Sequence, residues 1–281
     1  MPTFQTPEPV TLRVRLSSGD LHVTASARTD TEVEVRPGNE RRSEDVEAAQ
    51  NTLVEHRNGT IVIEMPDGGR RSFGRSPSID VRVGLPEGSH LRGAVASADV
   101  TVDGRAGDVE ITSASGDVRL DRTADLVVQT ASGDFFGREV DGDAKAQTAS
   151  GDISLLKVAG EARLSTASGD AELNEAGGDV RLQSASGDLH LGRAGGSVEV
   201  KTASGDVRVD VIHQGEFTGE SASGDIHVGI AAGTAAWLDV SSLSGDVRSA
   251  LDQSGEPGGD EQRVSVRART LSGDITVARA R

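Results

Sequence analysis

The chain has 281 residues, a formal net charge of −16, no cysteine, no tyrosine and only 2% aromatic residues. The acidic balance excludes an electrostatic grip on phosphate backbones or anionic lipid, so nucleic acid is not an expected partner. The absence of cysteine excludes disulfides and thiolate metal sites, and 35 glycines set among Val, Leu, Ile and Ala point to a thin core in which two sheets about 10 Å apart close over small aliphatic side chains.

The first nine residues carry neither a basic n-region nor an apolar h-region, and no run reaches transmembrane length. The expectation is a cytoplasmic chain with no transmembrane segment. Ser18-Gly19-Asp20-Leu21-His22-Val23 reads as one coil edge, and Val33-Glu34-Val35 as an alternating strand. Residues 41–50 are charged and poor in β-branched side chains, which fits either a loop or a short helix. Thr52 to Ile63 reads as a hairpin, because Asn58-Gly59 suits a type I′ turn. Residues 66–78 read as a loop, after which Ile79 to Val83 resume the strand pattern. Residues 1–95 are therefore predicted to form the irregular coils and cap of a solenoid, since a bare terminal coil exposes strand edges and core.

Ser-Gly-Asp occurs ten times, and Asp117, Asp134, Asp152, Asp170, Asp188 and Asp206 follow one another at 17, 18, 18, 18 and 18 residues. Asp225, Asp246 and Asp274 continue the series less strictly. A fixed period of this kind is the signature of a solenoid. In residues 186–203, Leu189-His190-Leu191 and Val198-Glu199-Val200 each place apolar residues two apart, so a coil consists of two short strands and two corners. One corner carries Ser-Gly-Asp and the other a second glycine, often followed by an acid, as at Gly142-Asp143 and Gly178-Asp179. The predicted fold is all-β, a right-handed parallel β-solenoid of about 18 residues per coil. Regular repeats span 96–250, and 251–281 supply a surface insertion and the final coil of the same continuous domain. The insertion is expected at 252–262, rich in glycine and acids. The last coil, Leu271 to Val277, lies close to the chain end, so either the insertion folds over it or it pairs with another molecule, an outcome against which Arg279 and Arg281 could act as charged gatekeepers.

Stacked aspartates about 4.8 Å apart repel by roughly 1 kcal/mol in water. Each is expected to accept backbone N–H bonds in its Gly-Asp turn, a structural role. The competing reading bridges the ladder with Ca²⁺, but the Gly-Gly-x-Gly-x-Asp pattern of calcium-binding β-rolls is missing, and no metal or cofactor is expected. Paired carboxylates could also cleave polysaccharide, yet every Asp has a copy above and below, so nothing selects a pair. His190 and His227 stand two coils apart on either side of Arg208, and no nucleophile or phosphate-binding motif is present. The expectation is a protein that is not an enzyme.

The candidate binding residues depart from the repeat or line up across it. Lys145, Arg163 and Arg181 fall in register on consecutive coils, where they could hold a carboxylate or sulfate or simply balance nearby acids. Phe136 occupies an outward position, and so does Trp237 if Leu238 and Val240 face inward. Exposed rings of this kind stack on sugars or anchor a partner, or else merely cover a disturbed coil.

The Thr-Ala-Ser-Gly-Asp blocks beginning at Thr130, Thr148, Thr166 and Thr202, with Val-Arg-Val-Gly-Leu-Pro-Glu-Gly at 81–88, resemble the bacterial putative-adhesin family, β-solenoid repeat domains of unknown function. The resemblance covers nearly the whole chain and implies a right-handed β-solenoid without catalytic residues, linked through some relatives to the cell envelope. The expected function is binding or scaffolding through the surface, with a protein or glycan as partner and a monomer in solution. The alternative is a structural protein that polymerises end to end. A calcium-stabilised β-roll and a polysaccharide-active enzyme are minor alternatives.

Overall fold

Alternation of apolar and polar residues makes almost every segment a strand. The computed structural model describes residues 1–66, 76–251 and 262–280, and the chain divides into two compact units, Met1–Asp141 and Gly142–Arg281. Most of the loop expected at 66–78, most of the insertion expected at 252–262, and Arg281 lie outside the described residues.

Unit 1 opens with β1 (Thr3–Gln5), β2 (Thr11–Ser26), β3 (Asp30–Pro37), the helix α1 (Ser43–Asn51), β4 (Leu53–Arg57) and β5 (Thr60–Glu64). It continues with β6 (Ile79–Pro86), β7 (His90–Arg105), β8 (Val109–Ser115), β9 (Val118–Thr123), β10 (Leu126–Ser132) and β11 (Phe135–Val140). The segment left open between loop and helix is helical. Its Asp45 is buried, accepts the Ser78 N–H at 3.1 Å and lies 3.3 Å from Arg42. The Asn58-Gly59 turn forms with positive φ at both residues, 49° and 73°, and joins antiparallel β4 and β5.

Spatial order in unit 1 departs from chain order. β2 lies between β7 on one side and β5 with β6 on the other, in parallel register throughout. Beyond that outer coil the strands reverse direction: β4 runs antiparallel to β5, β3 to β6, and β1 to β3. Helix α1 packs against β3 and β6.

Unit 2 contains β12 (Ala144–Ser150), β13 (Ile153–Val158), β14 (Ala162–Ser168), β15 (Ala171–Ala176), β16 (Val180–Ser186), β17 (Leu189–Ala194) and β18 (Val198–Ser204). Then come β19 (Val207–Ile212), β20 (Gly215–Ser223), β21 (Ile226–Ile230), β22 (Ala235–Ser244), β23 (Val247–Ser249), β24 (Arg263–Ser272) and β25 (Ile275–Arg279). All the inter-coil pairings within unit 2 are parallel, with Ile153, Ala171, Leu189, Val207 and Ile226 stacked as one buried inward column.

The last coil in the chain is not the last coil in space. β24 pairs with β20 on one side and β22 on the other, and β25 lies likewise between β21 and β23. The inward column therefore runs Ile226, Ile275, Val247, and the outermost coil of the unit is 235–249. The expectation that the last coil, Leu271 to Val277, lies at the end of the stack is corrected: the chain runs from β21 to the outer coil and then returns to the place between them.

Candidate binding surface

Each Ser-Gly-Asp corner is held by a hydrogen bond from one coil to the next. The Asp206 N–H donates to Asp188 Oδ1 at 2.8 Å, Asp188 N–H to Asp170 Oδ1 at 2.8 Å, and Asp170 N–H to Asp152 Oδ1 at 2.8 Å. At the far end the order is Asp206, Asp225, Asp274, Asp246, each N–H donating to the preceding or intervening carboxylate at 2.7–2.9 Å. In unit 1, Asp99, Asp117 and Asp134 repeat the arrangement. The acceptors thus bond the neighbouring coil's N–H, where the sequence suggested bonds within each Gly-Asp turn. The preceding glycine is needed twice over at Gly187: its φ is 150°, and a Cβ there would lie 1.9 Å from the Gly169 carbonyl oxygen.

Lys145, Arg163 and Arg181 do come into register on β12, β14 and β16. Acids already engage two of the three. Arg163 meets Glu161 at 2.6 Å, and Arg181 donates through Nε to Glu199 at 2.8 Å. Lys201 lies 3.0 Å from the other Glu199 oxygen. The Lys201 hydrogen bond holds the Glu199 carboxyl below its ordinary range against the opposing effect of burial, with Arg181 assisting. Phe136, beside Arg119 on the outer face of β11, is 40% exposed. Trp237 is 58% exposed on the outer face of β22.

Sequence reasoning missed two groups. On the outer face of unit 2, His190 Nε2 lies 3.0 Å from Asp210 Oδ2, and Arg208 donates to the other oxygen at 2.8 Å. Burial works to raise the Asp210 carboxyl, but these bonds outweigh it and hold the group below its ordinary range. The second group is apolar. In the outer coil and its neighbour, the exposed Ala of Thr-Ala-Ser-Gly-Asp is replaced by Leu243 and Leu271, which are 82% and 59% exposed. Val247, whose counterparts are fully buried, is 45% exposed. The signal was present as Leu in two blocks where seven others have Ala and the first has Ser17.

Among the described residues no group of three or more His, Asp or Glu side chains is arranged to hold a metal ion, and no helix is long and apolar enough to cross a membrane. Eight carboxylates of the ladder are engaged with a neighbour's backbone N–H, and the coils differ most in their outward columns and in the outer coil.

The Toastrack DUF4097 family model matches residues 9–278. The chain belongs to this family. No curated protein matches it. Solved structures similar to this family member include one described as a "putative adhesin" from Bacteroides fragilis, with 12% identity and a TM-score of 0.44 over 98% of this chain and 95% of that one. A "putative lipid binding protein" from Parabacteroides distasonis has 12% identity and a TM-score of 0.46 over the same shares. A "putative adhesin" from Parabacteroides merdae has 10% identity and a TM-score of 0.45, again over 98% and 95%.

Proposed function

We propose that this Toastrack chain is a non-enzymatic binding or scaffold module that works through its outward faces, with a protein or glycan as its partner. The observation that carries the reading is the Asp ladder. A carboxylate that catalyses must differ from its copies in environment, so that one member of a pair is poised as acid and the other as base. Between Asp99 and Asp274 eight stacked carboxylates do the same job, each accepting one backbone N–H from the next coil at 2.7–3.1 Å. Chemical individuality lies instead in the outward columns, where Phe136, the Lys145 column and the Asp210 cluster differ from coil to coil. The net charge of −16 leaves nucleic acid outside the reading.

The test is a panel of bacterial envelope polysaccharides, each assayed both for retention of the labelled protein and for chain cleavage. Retention without cleavage, weakened by Phe136→Ser or by Arg208→Gln, supports the module. Turnover on any member of the panel overturns the non-enzymatic reading. Failure of every polysaccharide moves the partner to the protein class.

A further inference from the structure

The outer coil of unit 2 is unlike every other coil in the unit. Among the described residues β22 pairs only with β24 and β23 only with β25, so each has one edge without a strand. Leu238 and Val240 are only partly buried, whereas Val266 and Ala268, their partners on β24, are fully buried. An edge of this kind offers a row of backbone donors and acceptors to another strand.

The direction of those groups is fixed. The Ala235 N–H donates to the Gln262 carbonyl at 2.9 Å, so Ala235 and its alternates Trp237, Asp239 and Ser241 turn their backbone groups toward β24. Ala236, Leu238 and Val240 turn theirs to the edge that no described strand covers. The side chains alternate the other way: Trp237, Asp239, Ser241 and Leu243 line the outer face, while Leu238 and Val240 reach toward the core.

We propose that a second copy of this chain adds to this edge, β22 against β22 in antiparallel register about a two-fold axis through Val240. Three observations favour a second copy. The outer row is symmetric about Val240, since the register sets Trp237 opposite Leu243 of the other chain and Asp239 opposite Ser241, twice each. Aromatic–aliphatic pairs and pairs able to hydrogen-bond are the favourable cross-strand combinations, and the strand's one charge never faces itself. The residue on the axis is one whose N–H and C=O point outward, so the two Val240 residues exchange both bonds as a hydrogen-bonded pair. Finally, Leu replaces the repeat's Ala only in the two outermost coils of unit 2, where added apolar surface would be covered by such a partner. A two-fold contact of this type is closed: it uses the same patch on both chains and leads to a dimer, not a filament.

Size exclusion with light scattering on the full chain, across a wide range of concentration, reads the outcome directly. The expected result is a monomer–dimer equilibrium that stops at two chains. Trp237→Lys with Leu243→Lys, both on exposed side chains outside the core, is expected to leave the circular dichroism spectrum unchanged and abolish the dimer. Because the chain has no native cysteine, Asp239→Cys with Ser241→Cys is expected to give an oxidised dimer band, reporting the register. A monomer at every concentration, growth beyond two chains, or a dimer indifferent to the paired lysines overturns the proposal. None of these results depends on polysaccharide retention, so this inference and the binding reading can fail separately.

Discussion

The outer edges of the two units are finished in opposite ways. At the edge of unit 1 the chain abandons its repeat: the strands reverse, β4 and β3 cover β5 and β6 in antiparallel fashion, and α1 packs alongside. At the edge of unit 2 the repeat continues to the last coil. Ser244-Gly245-Asp246 keeps the corner sequence, and the Asp246 N–H still donates to Asp274 Oδ1 at 2.9 Å, although Gly245 lacks the positive φ of the inner corner glycines. A strand edge is silenced by breaking the pattern that makes it a template. The comparison teaches that unit 1 is built to stop strand addition, while unit 2 keeps the geometry that permits it.

The greatest loss of stability should distinguish an inner coil from the outer one. Gly187→Ala forces a side chain onto a residue with φ 150° and into the Gly169 carbonyl. With coils on both sides the clash cannot be relieved, and urea unfolding is expected to show a loss of more than about 3 kcal/mol. Gly245→Ala meets the Gly273 carbonyl at 2.1 Å, but Gly245 lacks the positive φ of Gly187, and among the described residues its coil has a strand on one side only and can move away. Its loss should be less than half as large. Equal losses would mean that the outer coil is as firmly held as the inner ones.

A smaller effect tests what the ladder is for. Asp188→Ala removes the acceptor for the Asp206 N–H and is expected to cost about 1 kcal/mol. Asp188→Asn keeps an oxygen in place and removes one of several stacked like charges, so it should be neutral or slightly stabilising. If Asn proved as damaging as Ala, charge and not hydrogen bonding would be what the position requires, and the cation-bridged alternative would return.

The regular part of this architecture was legible because period and alternation act locally. Eighteen-residue spacing and apolar residues two apart predicted the columns through Ile153, Leu189 and Ile226, and Asn58-Gly59 predicted a hairpin that formed with its positive φ values. What could not be read was spatial order. β24 carries the same grammar as β22, so nothing in either block tells which of them lies against β20. The decision rests on how a later segment competes for an edge already formed, a long-range matter invisible to periodicity. The same limit hid the Asp210 cluster, since His190 and Arg208 meet that carboxylate through stacking and not through a motif. Leu243 and Leu271 differ in kind. They were visible as substitutions in the repeat, but lacked meaning until the outer coil was identified.

The smallest expected effect returns to unit 1 and asks what its closed edge costs. Asp20 stands between Asp80 of β6 and Asp99 of β7 in the register. Burial pushes its carboxyl above the ordinary value, and the charges of Asp80 and Asp99 push it further. The folded state therefore binds this proton more tightly than the unfolded chain does. Its contribution to stability is fully present below the unfolded pKa and is lost as pH rises through the raised folded value. Asp20→Asn removes that loss. Thermal melts should show the variant more stable than the native chain at neutral pH, with the gap closing as pH falls below the carboxylate range. A gap of constant size across that window would show that the side chain acts through shape or hydrogen bonding, and that covering this edge places no electrostatic load on the ladder beside it.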